Sequence, residues 1–105
     1  MYGDVPVSLS KVESRFFERI REARLPLPVT NQRVGNRYID ARWPGLTVEI
    51  DSYRYHGSRY AWEQDHRRQR EARARGDDYL SYTWGDVFED PGPMLRELRA
   101  ALSPA

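Results

Sequence analysis

Cysteine is absent from the chain. Its absence excludes a disulfide framework, a thiolate metal site and a cysteine nucleophile, and it fits a reducing compartment. Lysine is nearly absent as well: Lys11 stands alone among 17 basic residues, the others being arginine. Guanidinium forks match phosphate oxygens bidentately, although a GC-rich genome gives the same bias. No apolar run approaches the roughly 20 residues of a membrane span, and the opening MYGDVPVSLS lacks the charged-then-apolar layout of a signal peptide. The expectation is a soluble, cytoplasmic protein without a membrane partner. An excess of one charge sign is also missing. Net charge is +1, so no global field draws in nucleic acid and any attraction has to be local.

What is present is aromatic bulk and an ordered series of elements. Seven tyrosines, three tryptophans and three phenylalanines supply a core to 105 residues, enough for one domain and too few for two. Residues 1–8 read as a tail. Ser10-Lys11-Val12-Glu13 fits a capping box with Ser10 as N-cap, opening a helix over 9–24. Val12, Phe16, Ile20 and Ala23 give that helix its apolar stripe, and Glu13 lies within the same arc. Glu13 is then either a cap or a carboxylate leaning toward the sheet. Leu25-Pro26-Leu27-Pro28 stops the helix.

A meander of three antiparallel strands is expected over 29–51, turning at Gly35-Asn36 and at Pro44-Gly45. The first strand is polar, as an edge strand would be. Period-two alternation puts Asp40 on one face of the second strand, and Glu49 and Asp51 together on one face of the third. If these strands pair, Asp40 faces Glu49 or Asp51 at roughly 5 Å between Cβ atoms. Like charges so placed are destabilising, and a bound divalent cation is the economical explanation. Oxygen ligands of this type suit magnesium.

A basic helix is expected over 58–75, stopped by Gly76, then a strand over 79–83 and a last helix over 92–102 introduced by Asp90-Pro91-Gly92-Pro93. A strand that follows a crossover helix should lie parallel to its sheet neighbour. The basic helix carries Arg67, Arg68, Arg70, Arg73 and Arg75, diluted by Glu63, Asp65 and Glu71. Most of these arginines are expected on a solvated, salt-bridged face. Arg59, Arg67 and Arg68 are the candidates for phosphate contact.

In this order the residues resemble the very-short-patch-repair (Vsr)-like endonuclease branch of the PD-(D/E)XK nuclease superfamily, including an uncharacterised bacterial nuclease-like domain family. The likeness runs from Ser10 to Leu102. It rests on Ser-x-x-Glu-x-x-Phe at 10–16, Leu-Pro-x-Pro at 25–28, Asn31, Asp40 with Trp43-Pro44, Val48-Glu49-Ile50-Asp51, His56, Asp65-x-x-Arg68, Gly76, Thr83-Trp84 and Pro91. The resemblance implies an α/β restriction-endonuclease-like core with a mixed sheet flanked by helices. It also implies Mg2+ (or Mn2+)-dependent attack of water on a DNA phosphodiester.

Asp40, Glu49 and the Ile50 carbonyl are the implied metal ligands. Asp51 takes the place of the superfamily's lysine, and His56 is the implied proton-transfer group, with an ordinary pKa near 6.5 that suits it. Glu13 completes the implied catalytic set together with Asp65, which either orients His56 or pairs with Arg68. Tyr53, Arg54 and Tyr55 stand where the repair enzymes carry aromatics that wedge into the duplex. Ser52, Asp77-Asp78 and Ser81 depart from the branch, and the last two remove positive charge near the sheet.

The leading expectation is an endonuclease or nickase, as a module of a repair, mobile-element or defence protein. It would act as a homodimer or fused to a DNA-targeting domain. A second reading is a catalytically quiet nuclease fold that binds DNA or protein, for instance in a toxin–antitoxin regulator. An RNA-processing enzyme differs from the first only in substrate.

Overall fold

The computed structural model describes the main chain of residues 7–34, 37–51 and 59–103, and the side chains of 11–30, 40–50 and 59–103. Helix α1 (Val7–Glu22) precedes strands β1 (Val29–Val34), β2 (Arg37–Trp43) and β3 (Leu46–Asp51). Helix α2 (Arg59–Ala74), strand β4 (Asp78–Thr83), a short α3 (Trp84–Phe88) and α4 (Gly92–Leu102) complete the chain. The sheet order is β1-β2-β3-β4, antiparallel in its first two pairings and parallel between β3 and β4. This is the mixed sheet expected from the sequence, with the polar β1 at an edge.

One face of the sheet holds the main core. Ala41, Trp43, Leu46, Val48, Ile50 and Tyr82 point toward Val12, Phe16 and Ile20 of α1, Val87 of α3, and Met94 and Leu98 of α4. Phe16 meets Trp43 edge-on with ring centroids 6.5 Å apart, and the Trp43 indole donates to the Pro26 carbonyl at 2.8 Å. The Tyr82 hydroxyl, deep against α4, donates to Glu97 at 2.8 Å. Helix α2 crosses the opposite face, and its end sends Arg75 to the Thr47 hydroxyl at 2.8 Å.

Local chemistry sets the helix ends. Helix α1 begins at Val7, so Ser10 is already inside the helix and is not its N-cap. The capping-box spacing matched, but the helical main chain starts three residues earlier. At the other end Arg24 adopts a left-handed φ of 59°, and the Leu25 amide returns to the Ile20 carbonyl at 3.1 Å. This is the Schellman closure, with Pro26 just beyond it. Helix α2 ends the same way: Gly76 sits at φ 86° and the Asp77 amide bonds Ala72 at 2.9 Å. Helix α3 was not anticipated, although its start is written in Thr83-Gly85-Asp86. The Asp86 amide donates to the Thr83 hydroxyl at 3.2 Å and the Thr83 amide to the Asp86 carboxylate at 2.9 Å, a reciprocal capping box. Arg19 of α1 then donates to the carbonyls of Val87 and Phe88 at 3.0 and 3.3 Å.

The Gly76 turn aims Asp77 into the sheet. Its side chain is 1% exposed and accepts from Arg42 at 2.7 and 2.8 Å and from the Thr47 hydroxyl at 2.7 Å. Arg75 lies 3.8 Å away. Hydrogen bonds from Arg42 hold the Asp77 carboxyl below its ordinary 3.8; burial opposes this, and Thr47 and the charge of Arg75 reinforce it. The sequence reading set Asp77 down as charge lost near the sheet. The structure corrects that, since its charge is matched by guanidiniums. A carboxyl depressed in the folded state contributes stability above its unfolded pKa, and that stability disappears as pH falls through the folded value. Asp77→Ala should therefore lower stability by about 3 kcal/mol at neutral pH, because the partly buried Arg42 loses its partner. Urea denaturation checks this, and the gap between the variant and the parent protein should close below about pH 4.

Candidate active site

The β2–β3 ladder pairs Trp43 with Leu46, Arg42 with Thr47 and Ala41 with Val48. Continued by one step, that register would set Asp40 opposite Glu49. At this point, however, a side chain replaces the main chain. The Ile50 amide donates to Asp40 Oδ2 at 2.7 Å, taking up a donor that antiparallel pairing would direct to a β2 carbonyl. The carboxylate of Asp40 thus reaches across to the main chain of β3.

Beneath α1 this end of the sheet encloses a cavity of about 180 Å3, lined by Glu13, Ser14, Phe16, Phe17, Thr30, Asp40 and Ile50. Glu13 reaches it because its helix position lies next to Phe16 and Phe17, and alternation on β1 puts Thr30 on the same side as Ala41. Of the two sequence alternatives for Glu13, the side chain follows the one that leans to the sheet. Burial first, and then the charge of Asp40, push the Glu13 carboxyl above its ordinary 4.5. Two carboxylates thus share a small, half-apolar space. Ser14 and Thr30 add hydroxyls that the sequence reading missed; only the fold of β1 under α1 brings them there.

Glu49 is 5% exposed and lies on β3 in register with Ser81 of β4, one residue from the Ile50 amide that holds Asp40. Asp51 ends β3 in register with Thr83, and its side chain lies outside the described residues. So do Tyr53, Arg54, Tyr55 and His56 in their entirety. On α2, Asp65 is half-buried with one carboxylate oxygen shielded, and Arg68 is half-buried with its Nε shielded. Arg59 and Arg67 are exposed. Among the described residues no three of His, Cys, Asp and Glu form a group that could hold a metal ion.

A larger cavity of about 450 Å3 opens at the other end of the sheet, lined in part by Leu46, Gln69, Arg73, Asp77, Tyr79 and Glu97. Its buried carboxylate is the one already matched by Arg42. The crowded acids around Glu13 and Asp40, not the bigger volume, are the better candidate for chemistry.

A raised carboxyl pKa is a folding cost at neutral pH, relieved as pH falls through the folded value. Glu13→Gln keeps the shape and removes the charge. In chelator at pH 7 it should raise Tm by a few degrees; thermal melting reads this, and an unchanged or lower Tm would show that the Glu13 charge carries no folding cost.

The sequence matches no protein-family model and no curated protein. Among the described residues no helix is long and apolar enough to cross a membrane. Among solved structures the fold is similar to the homing endonuclease I-Bth0305I catalytic domain, with a TM-score of 0.67 at 15% sequence identity. The likeness covers 88% of this chain and 97% of that one. The chain therefore has a mixed α/β fold similar to that of a nuclease catalytic domain.

Proposed function

We propose that the protein is a metal-dependent endonuclease or nickase that hydrolyses phosphodiester bonds in DNA. The observation that carries this reading is the pair of carboxylates, Glu13 and Asp40, held against each other in one cavity at the sheet end where Glu49 also lies. Acids with shifted pKa values in a cleft concentrate at functional sites. The fold likeness to an endonuclease catalytic domain supports the same reading.

The donors fit a magnesium or manganese ion. They are oxygens, two of them carboxylates, and the Ile50 amide orients one of them by binding Asp40 Oδ2. Asp40, Glu49 and the Ile50 carbonyl would hold the ion, with Glu13 near enough to feel the same charge. When bound, the cation supplies Lewis-acid stabilisation of charge on the scissile phosphate. His56, five residues beyond Asp51, takes the proton from the attacking water or returns it to the leaving oxygen. Asp51 and Asp65 support that histidine, and Tyr53, Arg54 and Tyr55 contact the DNA beside it. Arg59 and Arg67 meet phosphates; Arg68, with its shielded Nε, does so only by turning outward. A net charge of +1 makes a second copy or a fused targeting domain the natural means of holding a duplex.

Millimolar Mg2+ or Mn2+ should raise Tm by several degrees, since a ligand at a hundred times its Kd stabilises the folded state by about 2.7 kcal/mol. Asp40→Ala should remove most of that shift. The protein should also nick supercoiled plasmid in magnesium, with Asp40→Ala and Glu49→Ala each lowering the rate at least roughly 100-fold, the scale of losing a charge-stabilising group. Equal nicking by these variants would point to a contaminant and favour the binding-module reading.

A further inference from the structure

The outward face of α2 is absorbed only in part by the proposed activity. Strand β3 runs to its C-terminal end at Asp51, and α2 returns antiparallel to it on the way to β4. The first turns of α2 therefore lie at the sheet end that carries Asp40 and Glu49. Here Trp62 is 62% exposed and its indole lies against the His66 imidazole, with ring centroids 4.1 Å apart and planes tilted by 56°. Trp62 is the most exposed tryptophan among the described residues: Trp43 is buried and Trp84 is 43% exposed.

At about 100° per residue, Arg59, Trp62, His66, Arg70 and Arg73 fall on one stripe with Arg67 at its border, and all six are exposed. The stripe spans about 21 Å from Arg59 to Arg73. The acids expected to dilute this charge are placed differently. Asp65 and Glu71 are half-buried on the flanks, so Glu63 is the one acid on the outer arc among the described residues, and it is bound to Arg59 at 3.1 Å. The face thus carries four guanidiniums against one carboxylate although the chain as a whole is nearly neutral.

We propose that this face of α2 is a track for single-stranded nucleic acid, with Trp62, backed by His66, stacking an unpaired base and Arg67, Arg70 and Arg73 following the phosphates. An indole stacks on duplex bases only by wedging a base step open, whereas every unpaired base offers a π-face. The arginines supply the charge complement to the backbone. The track extends the nuclease reading by naming a strand-separated region as the substrate, and it is measured in chelator, where cleavage plays no part.

The test is fluorescence anisotropy with labelled dT15 and a duplex of the same length, in EDTA across a salt series. Trp62→Ala should weaken dT15 binding by about 10-fold or more and leave duplex binding within twofold. Trp62→Phe, which keeps an aromatic platform, should retain most of the dT15 affinity but lose the tryptophan quenching that dT15 produces in the parent protein. Replacing Arg67, Arg70 and Arg73 together by Gln should flatten the plot of log affinity against log salt by about two units. Unchanged dT15 binding by Trp62→Ala, or an equal loss on duplex, would overturn the proposal. Intact binding without plasmid nicking would leave the track standing and count against the endonuclease alone.

Discussion

The buried carboxylate of Asp77 is the contact on which the sheet's topology rests. It accepts from Arg42 on β2 and Thr47 on β3 while sitting at the junction between α2 and β4. A parallel strand pair has no hairpin to set its register. Here the register of β4 beside β3 is pinned by one side chain that the Gly76 turn delivers to both antiparallel strands. The partners are 35 and 30 residues away in sequence, so the contact joins segments that no local turn brings together. A buried ion pair adds little net stability over an apolar replacement, but breaking it leaves unmatched charge. Its contribution is to specify which pairing is native.

About three residues along β3, roughly 10 Å, the chemistry of the sheet reverses. Asp77 is surrounded by donors that favour its charged form. Glu13 and Asp40 line a space of hydroxyls, aromatic rings and each other's charge, and Glu13 responds with a raised pKa. Similar residue types thus do two kinds of work at two ends of one sheet. Where guanidiniums match the acid, the contact serves the fold. Where Glu13 meets burial and the charge of Asp40, its ionised form is disfavoured.

The parting of β2 from β3 at Asp40 makes that second site possible. Had the ladder continued, the Ile50 amide would have gone to the main chain and Asp40 would have pointed squarely to one face. Instead the carboxylate is oriented by a main-chain donor of β3 at 2.7 Å and lines the cavity beneath α1. The exposed cationic face of α2 begins at the same end, because a crossover helix has to start where the strand before it stops. Topology thus sets the acid cavity and the cationic face of α2 at one end of the sheet, on opposite faces of it, in a chain with almost no net charge.

Much of the fold could be read from residues that act on their neighbours. Pro44-Gly45 and Gly76 set turns by local φ preferences, Val12, Phe16 and Ile20 mark one helix face, and alternation through Val48-Glu49-Ile50 marks a strand. Helix α3 is equally legible in the Thr83 and Asp86 capping box, although five residues make too short a periodic pattern to mark it. The Ser10 capping box shows the converse, a good local match that the longer helix bypasses. Only the tertiary structure decided which acids are structural, that Asp40 leaves the ladder to accept from Ile50, and that Asp65 turns inward so that Trp62 and its arginines stand clear. Those outcomes depend on partners tens of residues apart, and no local propensity encodes a distance that exists only after the sheet has closed.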